Sequence, residues 1–488
     1  MMKSIKYNAI VNGILSVANI IFPLITFPYI SRVLGVETNG KLNFASASLT
    51  YFSLFATLGL STYGIKACAR VREDRTKLSK TVHELLLINA VTTTIACIAL
   101  VISIFVVPRY HQEWKLLFIY SWNMILNVVG MNWLYSAIER YDYITKRSIA
   151  FKFIGVVLMF LFVHSPADSY KYAVITVFAN VGGNILNIIY SRNFITYKWY
   201  GDYDCKQHIK PTLAMFATYL AVNVYSSLDS VMLGFMCGDF QVGIYSAAVK
   251  IRTVLTTLIT SVGTVLLPRL SFYIAGENWK EFKRLLKKSY CTIIMIAVPM
   301  MVYFILAAKP SVVFLSGAEY ADAAKPMRIL MPIMLISSLS NITGMQILIP
   351  TGGEWKFAIS VSCGAVVDII LNVILIPQMG ANGAAIGTLF AELTQFCVQV
   401  FFTRNYIRGA ISTKGTVQVV IATILGTVGY YLISSILHVG TFATLFITAL
   451  VFFGVYAVVL LAFRYEMLIE LLNMVWSPIL KKLKKSNQ

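Results

Sequence analysis

The sequence predicts an all-α integral membrane protein with about 14 transmembrane helices. Three observations predict it. The 488-residue chain is 58% apolar and only 13% charged, with a mean hydropathy of +0.73, whereas soluble domains carry about 25% charged residues. Its apolar residues come in continuous runs of roughly 20, the length a helix needs to cross a bilayer, and not in the alternating short segments of a barrel. The loops between the runs are rich and poor in Lys and Arg by turns.

In order, the runs predict spans at 9–34, 41–63, 83–107, 113–138, 149–164, 171–191, 212–236, 242–268, 289–308, 327–350, 357–376, 381–403, 415–437 and 442–463. The first run exceeds the apolar core of a signal peptide, and no small-residue cleavage site follows it, so it reads as a span. Basic residues concentrate at Lys3 and Lys6, at 66–80, at Arg140 to Lys152, at 192–210, at 269–288, at Lys356, at 404–414 and in the tail. Short loops with excess Lys and Arg stay cytoplasmic, which predicts an even number of spans with both termini inside. The segment 277–288 is amphipathic, with Trp279, Phe282, Leu285 and Leu286 on one face, and predicts a helix on the inner membrane surface. The segment 467–483 reads the same way.

The net charge of +20 is thereby topogenic. It faces anionic headgroups, and no nucleic-acid partner is predicted. Seven scattered Cys without a CxxC motif predict no disulfide framework. No Walker A, GxGxxG, HExxH or GxSxG sequence occurs, and the five His have no metal-ligand spacing. No cofactor, metal or covalent catalysis is predicted, so energy would come from an ion gradient or from substrate flux.

Charges inside spans are costly and mark a wet path by default. Asp229 in the seventh span and Lys250 in the eighth lie at similar depth on one hairpin; they read either as cavity residues or as a buried ion pair. Arg252, two residues on, cannot share a face with Lys250. Asp368 and Glu392 lie near the bilayer middle and are candidates for ion coupling, or for protonated carboxyls bonded between helices. Arg32 and Lys66 sit near span ends, where a long side chain can also snorkel to headgroups. Amide stripes recur at helical spacing: Asn12 and Asn19 with Ser16, Asn123 with Asn127, Asn180 and Asn184 with Asn187, and Asn223 with Ser227 and Ser230. They suit sugar hydroxyls, since amides both donate and accept, or simple helix–helix bonding.

An internal repeat is visible. Ser31 to Gly35, a turn with Gly40, and Asn43-Phe44-Ala45 return about 200 residues later as Ser230 to Gly234, a turn with Gly243, and Ser246-Ala247-Ala248. The spacing predicts two parallel halves, a common transporter plan: 1–211 with spans 1–6, 212–411 with spans 7–12, and 412–488 with spans 13 and 14 and a basic tail.

With these residues in view the chain resembles the Wzx-type polysaccharide flippases of the multidrug/oligosaccharidyl-lipid/polysaccharide exporter superfamily. The resemblance rests on Phe27-Pro-Tyr-Ile-Ser-Arg-Val-Leu-Gly35, Leu58-Gly-Leu-Ser-Thr-Tyr-Gly64, Asn132-Trp-Leu-Tyr-Ser-Ala-Ile-Glu-Arg140, Leu228-Asp-Ser-Val-Met-Leu-Gly234, Tyr245-Ser-Ala-Ala248 and Asn372 to Pro377 with Gly380 and Gly383. It implies two six-helix lobes around a central cavity, plus two C-terminal helices. It implies that undecaprenyl-pyrophosphate-linked oligosaccharide is flipped across the bacterial cytoplasmic membrane, with a polysaccharide polymerase and chain-length regulator as partners besides membrane lipids. It also implies a cationic lumen, for which Arg32, Lys66, Lys250 and Arg252 are the matching positions. Two other readings stay open: a lipid II flippase or multidrug exporter of the same superfamily, and a non-transporting scaffold for polysaccharide assembly.

Overall fold

The computed structural model describes residues 5–223, 227–408, 410, 412–437 and 439–470, with side chains except at 5–6, 8–10, 12, 20, 217–223, 262–266 and 268. Helix dominates throughout, and the breaks between helices fall where the backbone demands them. Helix α1 (Ile5–Thr57) holds the first two expected spans. A straight helix of that length would reach about 80 Å, far beyond the roughly 30 Å hydrocarbon layer. It turns instead at Gly35, whose φ of 74° and ψ of 176° suit only glycine. After α2 (Leu60–Arg70), Asp74 caps α3 (Arg75–Val106) by accepting from the Thr76 and Lys77 amides. Those bonds, the Lys77 amide foremost, hold its carboxyl below the usual carboxylate range.

The short α4 (Pro108–Gln112) leads to α5 (Trp114–Val128) and α6 (Asn132–Ala137), which together form the fourth span. The break between them carries Met131 at φ 42°. Next come α7 (Tyr141–Phe162), α8 (Ser169–Val177) and α9 (Asn184–Ser191), the last two joined by a π-helical turn at Phe178–Gly182. The chain continues through α10 (Lys206–Asn223), α11 (Leu228–Met236), α12 (Asp239–Ala275), α13 (Trp279–Leu306) and α14 (Ala308–Ser316). Then α15 (Ala324–Asn341) runs into a π-helical stretch at Ile342–Leu348, and α16 (Glu354–Met379), α17 (Ala381–Ile407), α18 (Thr413–Ile436) and α19 (Thr441–Ala462) complete the set.

Among the described residues, ten helical stretches are long and apolar enough to cross a membrane. The expected count of about 14 is reconciled by four departures. The stretch Gly13–Arg70 contains two spans. The α5/α6 pair is interrupted, α7 carries Asp142, Lys146, Arg147 and Lys152 along its length, and the seventh expected span, 212–236, includes residues 224–226, which lie outside the described residues.

The chain forms two compact units, Met1–Ser246 and Ala247–Gln488. The division falls inside α12, one hairpin beyond residue 211. The reason lies in the repeat: the hairpin of α11 and α12 packs on α1 at its Gly35 turn, so its first strand of contacts belongs to unit 1. In unit 1 the main core gathers Ile30, Leu34, Leu49, Leu100, Leu117, Tyr120, Met124 and Met159. A second core lies around Leu60, Val82, Leu85, Trp133, Leu134 and Tyr135. In unit 2, Met295, Val419, Ala422, Tyr456 and Leu460 pack together, as do Tyr303, Tyr430 and Phe452.

Two expectations are corrected. The segment 277–288 is not a separate surface helix; from Trp279 on it forms the first turns of α13, capped by Asn278, with Phe282 and Leu286 buried. The basic stretch from Arg140 to Lys152 is not a loop beyond residue 140, because α7 begins at Tyr141 and runs on to Phe162. Helix α19 ends in a left-handed turn at Arg464, φ 49°. The Tyr465 amide donates to Leu460 O and the Arg464 amide to Leu461 O, both at 3.0 Å, which is the Schellman arrangement where glycine is usual. A side chain there costs roughly 1–2 kcal/mol.

Candidate translocation site

Helix α7 brings two cations onto the amides of neighbouring helices within unit 1. Arg147 donates through Nη1 to Asn187 Oδ1 and through Nη2 to Asn132 Oδ1, the latter at 3.0 Å. Asn187 is fully buried and turns its own amide toward Gly130 O, at the break between α5 and α6. That break frees a carbonyl that an unbroken helix would have used. Tyr143 stacks on Tyr190 with ring centroids 4.0 Å apart, and the Arg140 guanidinium lies 5.5 Å from the Tyr190 ring. One and a half turns further along α7, Lys152 donates to Asn19 Oδ1 on α1.

Beside this cluster lies a polar cavity of about 210 Å³, lined by Thr57, Ser61, Asn89, Asn127, Asn132, Trp133 and Ser136 among others. Asn132 is shared: it lines the cavity and also accepts from Arg147. Asn89 is buried, and its Oδ1 has no hydrogen-bond partner among the described residues. A buried unsatisfied acceptor is costly, and a hydroxyl in this cavity would satisfy it. Hydroxyl and amide groups with an aromatic face and a cation nearby form a surface that can take sugar and phosphate together.

The other expected positions distribute as follows. Asn12 and Asn223 have side chains outside the described residues. Asn123 bonds back to Tyr120 O on its own helix. Asn184 is buried and donates to Leu126 O at 3.1 Å, whereas Asn180 lies exposed in the π-helical turn. The extra residue of that turn shifts the register, so Asn180 does not share a face with Asn184 and Asn187. Arg32 is exposed, with Nη1 donating to Pro28 O at 3.2 Å, and Lys66 is exposed near the end of α2. Lys250 and Arg252 are half-buried on α12. Asp229 is buried and accepts from Tyr245.

In unit 2, Glu392 accepts from Ser337 at 2.8 Å. Asp368 is fully buried in the tight crossing of α16 and α17, where a Cβ added to Gly387 would lie 3.4 Å from Asp368 Oδ1. About two turns along the same pair of helices, Gln399 accepts from Ser340 and Thr343 and donates to Ser360, a satisfied network that holds helices together.

Two groups escaped the sequence reading. Arg147 and Lys152 were hidden because a run of basic residues looks like a loop; the signal that could have found them is their spacing to the apolar face of the span that follows. Glu84 and His208 form a buried pair at 2.8 Å, extended by Tyr63 on the other imidazole nitrogen and by the Asp204 amide on the carboxylate. It fastens the first turn of α10 and the segment before it to α3. Among the described residues no cluster of His, Cys, Asp and Glu could hold a metal.

The repeat acquires a physical meaning in unit 1. Gly40 of the first copy lies against Asp239 O and the Gly243 amide, and Gly243 of the second copy against Val36 O; at either position a Cβ would collide with backbone. Gly234 likewise accommodates the Phe44 ring. Arg109 closes this contact by pairing with Asp239 and lying 4.9 Å over the Phe44 ring.

The polysaccharide biosynthesis protein family matches residues 5–274, more than half of the chain, and the MatE family matches residues 214–374. The protein named "Putative O-antigen transporter" in Escherichia coli (strain K12) is 25% identical, over 82% of this chain and 97% of its own length. Its namesake in Shigella dysenteriae is 26% identical, over 80% and 97%. Among solved structures, lipid II flippase MurJ in an inward closed conformation aligns with a TM-score of 0.73 at 16% identity, covering 92% of this chain and 98% of its own. An inward-facing multidrug resistance transporter of the MATE family and MOP superfamily gives 0.60 at 17%, over 80% and 94%. At these identities the structural likeness is one of fold. It bears out the all-helical multi-pass membrane architecture, and the two family matches with the O-antigen transporter relatives bear out the exporter superfamily to which the motifs point. These relatives are named as transporters and flippases, not as enzymes. The chain belongs to the polysaccharide biosynthesis protein family.

Proposed function

We propose that this chain flips undecaprenyl-pyrophosphate-linked oligosaccharide repeat units from the inner to the outer leaflet of a bacterial cytoplasmic membrane, for capsule, O-antigen or exopolysaccharide assembly. The observation that carries the reading is the Arg147 cluster beside the amide-lined cavity, in a chain whose relatives are named O-antigen transporters. Glycan hydroxyls cannot cross hydrocarbon unpaired, at several kcal/mol each; asparagine and serine replace their water. The pyrophosphate needs fixed positive charge, for which Arg147 and Lys152 join Arg32, Lys66, Lys250 and Arg252. The basic loops support a reading with both termini in the cytoplasm.

In this scheme 1–211 and 212–411 are lobes that rock about a central cavity, with 412–488 appended. The Gly40–Gly243 contact is then the outer closure that parts on release. Polymerase and chain-length regulator would receive the product outside. A drug exporter of this fold would favour carboxylates and aromatics in its cavity, and the Arg147 cluster offers the opposite charge. The test is transport in proteoliposomes of a labelled lipid-linked oligosaccharide alongside a cationic dye. Faster flipping of the glycolipid is the expected result; movement of the dye alone would overturn the proposal.

Asp229, Asp368 and Glu392 are the proposed coupling carboxylates. Asp229→Asn, Asp368→Asn and Glu392→Gln are each expected to preserve folding, and at least one should abolish the response of flipping to an imposed proton or sodium gradient. An unchanged gradient response in all three variants would exclude these groups as the coupling site.

A further inference from the structure

We infer that unit 2 carries a binding site for the headgroup of an anionic phospholipid, separate from the translocation site. The ends of α13, α18 and α19 that meet at one membrane face enclose a cavity of about 300 Å³. Its lining includes Lys287, Lys288, Lys414 and Arg464 against Glu466 and Glu470, a surplus of two positive charges. Lys288 pairs with Glu470. No ion pair among the described residues engages Lys287, Lys414 or Arg464, so three cations are left for one carboxylate.

The floor of the cavity is built. Gly415 leaves room for Tyr465, since a Cβ there would meet Tyr465 Cε2 at 3.1 Å. Tyr465 is buried, with its hydroxyl 3.4 Å from Cys291 O. Ser412 caps the N-terminus of α18, accepting from the Gly415 amide at 3.2 Å, and that helix end favours an anion.

Two features point to a lipid and not to a soluble anion. Arg464 occupies the left-handed position after α19 where glycine would be relaxed; an outlier of this kind is kept when its side chain serves a purpose, and here the side chain adds a cation to the cavity. The cavity also continues into hydrocarbon-facing surface. Along α18, Lys414 and Gln418 line it, and Ile421 and Leu425 carry the same helical face onward, both exposed. Leu461 on α19 is exposed beside it. A phosphate held by the cations would leave acyl chains lying on this strip. Basic pockets between helix ends at a membrane face are a known mode of lipid headgroup capture.

The test uses the full purified chain in detergent. Thermal unfolding and native mass spectrometry are followed on titration with phosphatidylglycerol, phosphatidylcholine or inorganic pyrophosphate. Phosphatidylglycerol is expected to bind and stabilise, and phosphatidylcholine to do neither. Arg464→Gly relaxes the turn, so without lipid it should unfold no earlier than the wild type; combined with Lys414→Gln it should bind phosphatidylglycerol about tenfold more weakly, the equivalent of roughly 1.4 kcal/mol. Lys287→Gln, about two turns into α13 and so clear of the Arg464 turn and the α18 cap, should weaken binding in the same direction. Equal binding by wild type and variants overturns the inference, as does equal stabilisation by phosphatidylcholine. Pyrophosphate binding at the same affinity as the lipid would make this a free-phosphate or substrate-anion site and overturn the phospholipid assignment. None of these readouts involves flipping, so they stand or fall apart from the proposed function.

Discussion

Arg147→Gln is expected to abolish flipping while leaving the chain folded. A unit charge pair at 4 Å is worth roughly 4 kcal/mol at an effective dielectric constant near 20, which corresponds to about three orders of magnitude in rate if it acts only on the transition state. Loss of flipping by 100-fold or more is therefore the expected size. Glutamine is the informative replacement because its amide still donates to Asn187 Oδ1 or Asn132 Oδ1. Alanine would orphan both oxygens, and Asn187 is fully buried, so Arg147→Ala should lower stability by about 1–3 kcal/mol for each acceptor left unsatisfied and confuse the two roles. Arg147→Lys keeps the charge and loses the two-pronged fork, and about a tenfold loss is expected. The measurements are flipping rate in proteoliposomes and thermal unfolding of the same preparations. Near-wild-type flipping by Arg147→Gln would show that the guanidinium only ties α7 to α6 and α9.

The fold was legible because hydrocarbon imposes its rules along the chain: apolar run length gives the spans, and the alternation of Lys and Arg separates them. What escaped are the interruptions. The break at Val129–Met131 satisfies a backbone group through a side chain of another helix, as Asn187 does for Gly130 O, and no local sequence pattern records such a partner; the π-helical turn at Phe178–Gly182 is a single-turn insertion that hydrophobic periodicity does not mark. The proposed site was legible as a type of surface, amides and cations within spans: Asn127 lines the cavity and Asn19 accepts from Lys152. Its central cation was not legible. Arg147 follows Lys146 and looks like part of a solvated loop; it becomes interior only because α7 starts six residues earlier and Asn132 and Asn187 wait on other helices. Arg32 and Lys66, flagged by depth alone, are exposed, as a cation facing a wet cavity and a snorkelling one both are.

Gly40→Ala and Gly243→Ala are expected to be the most disruptive small substitutions in unit 1. Each glycine opposes backbone and not a movable side chain: Gly40 faces Asp239 O and Gly243 N, and Gly243 faces Val36 O. A rotamer change cannot relieve the clash, so the two hairpins must separate. Overpacking of this kind costs typically 1–3 kcal/mol, and separation also draws Asp239 away from Arg109. The comparison is with Gly13→Ala and Gly454→Ala, where a Cβ meets nothing within 4 Å. There, removing glycine from a helix should stabilise by about 0.5–1 kcal/mol and leave flipping intact. Both effects are read in thermal unfolding and in flipping rate, with flipping by either contact variant expected to fall at least tenfold. Because Gly40 and Gly243 serve a single contact, the double variant should be little worse than either single one, a departure from additivity that independent sites would not show. Losses that simply add would mean that the two copies of the repeat act separately, and wild-type flipping in all the single variants would remove the hairpin contact from the transport cycle.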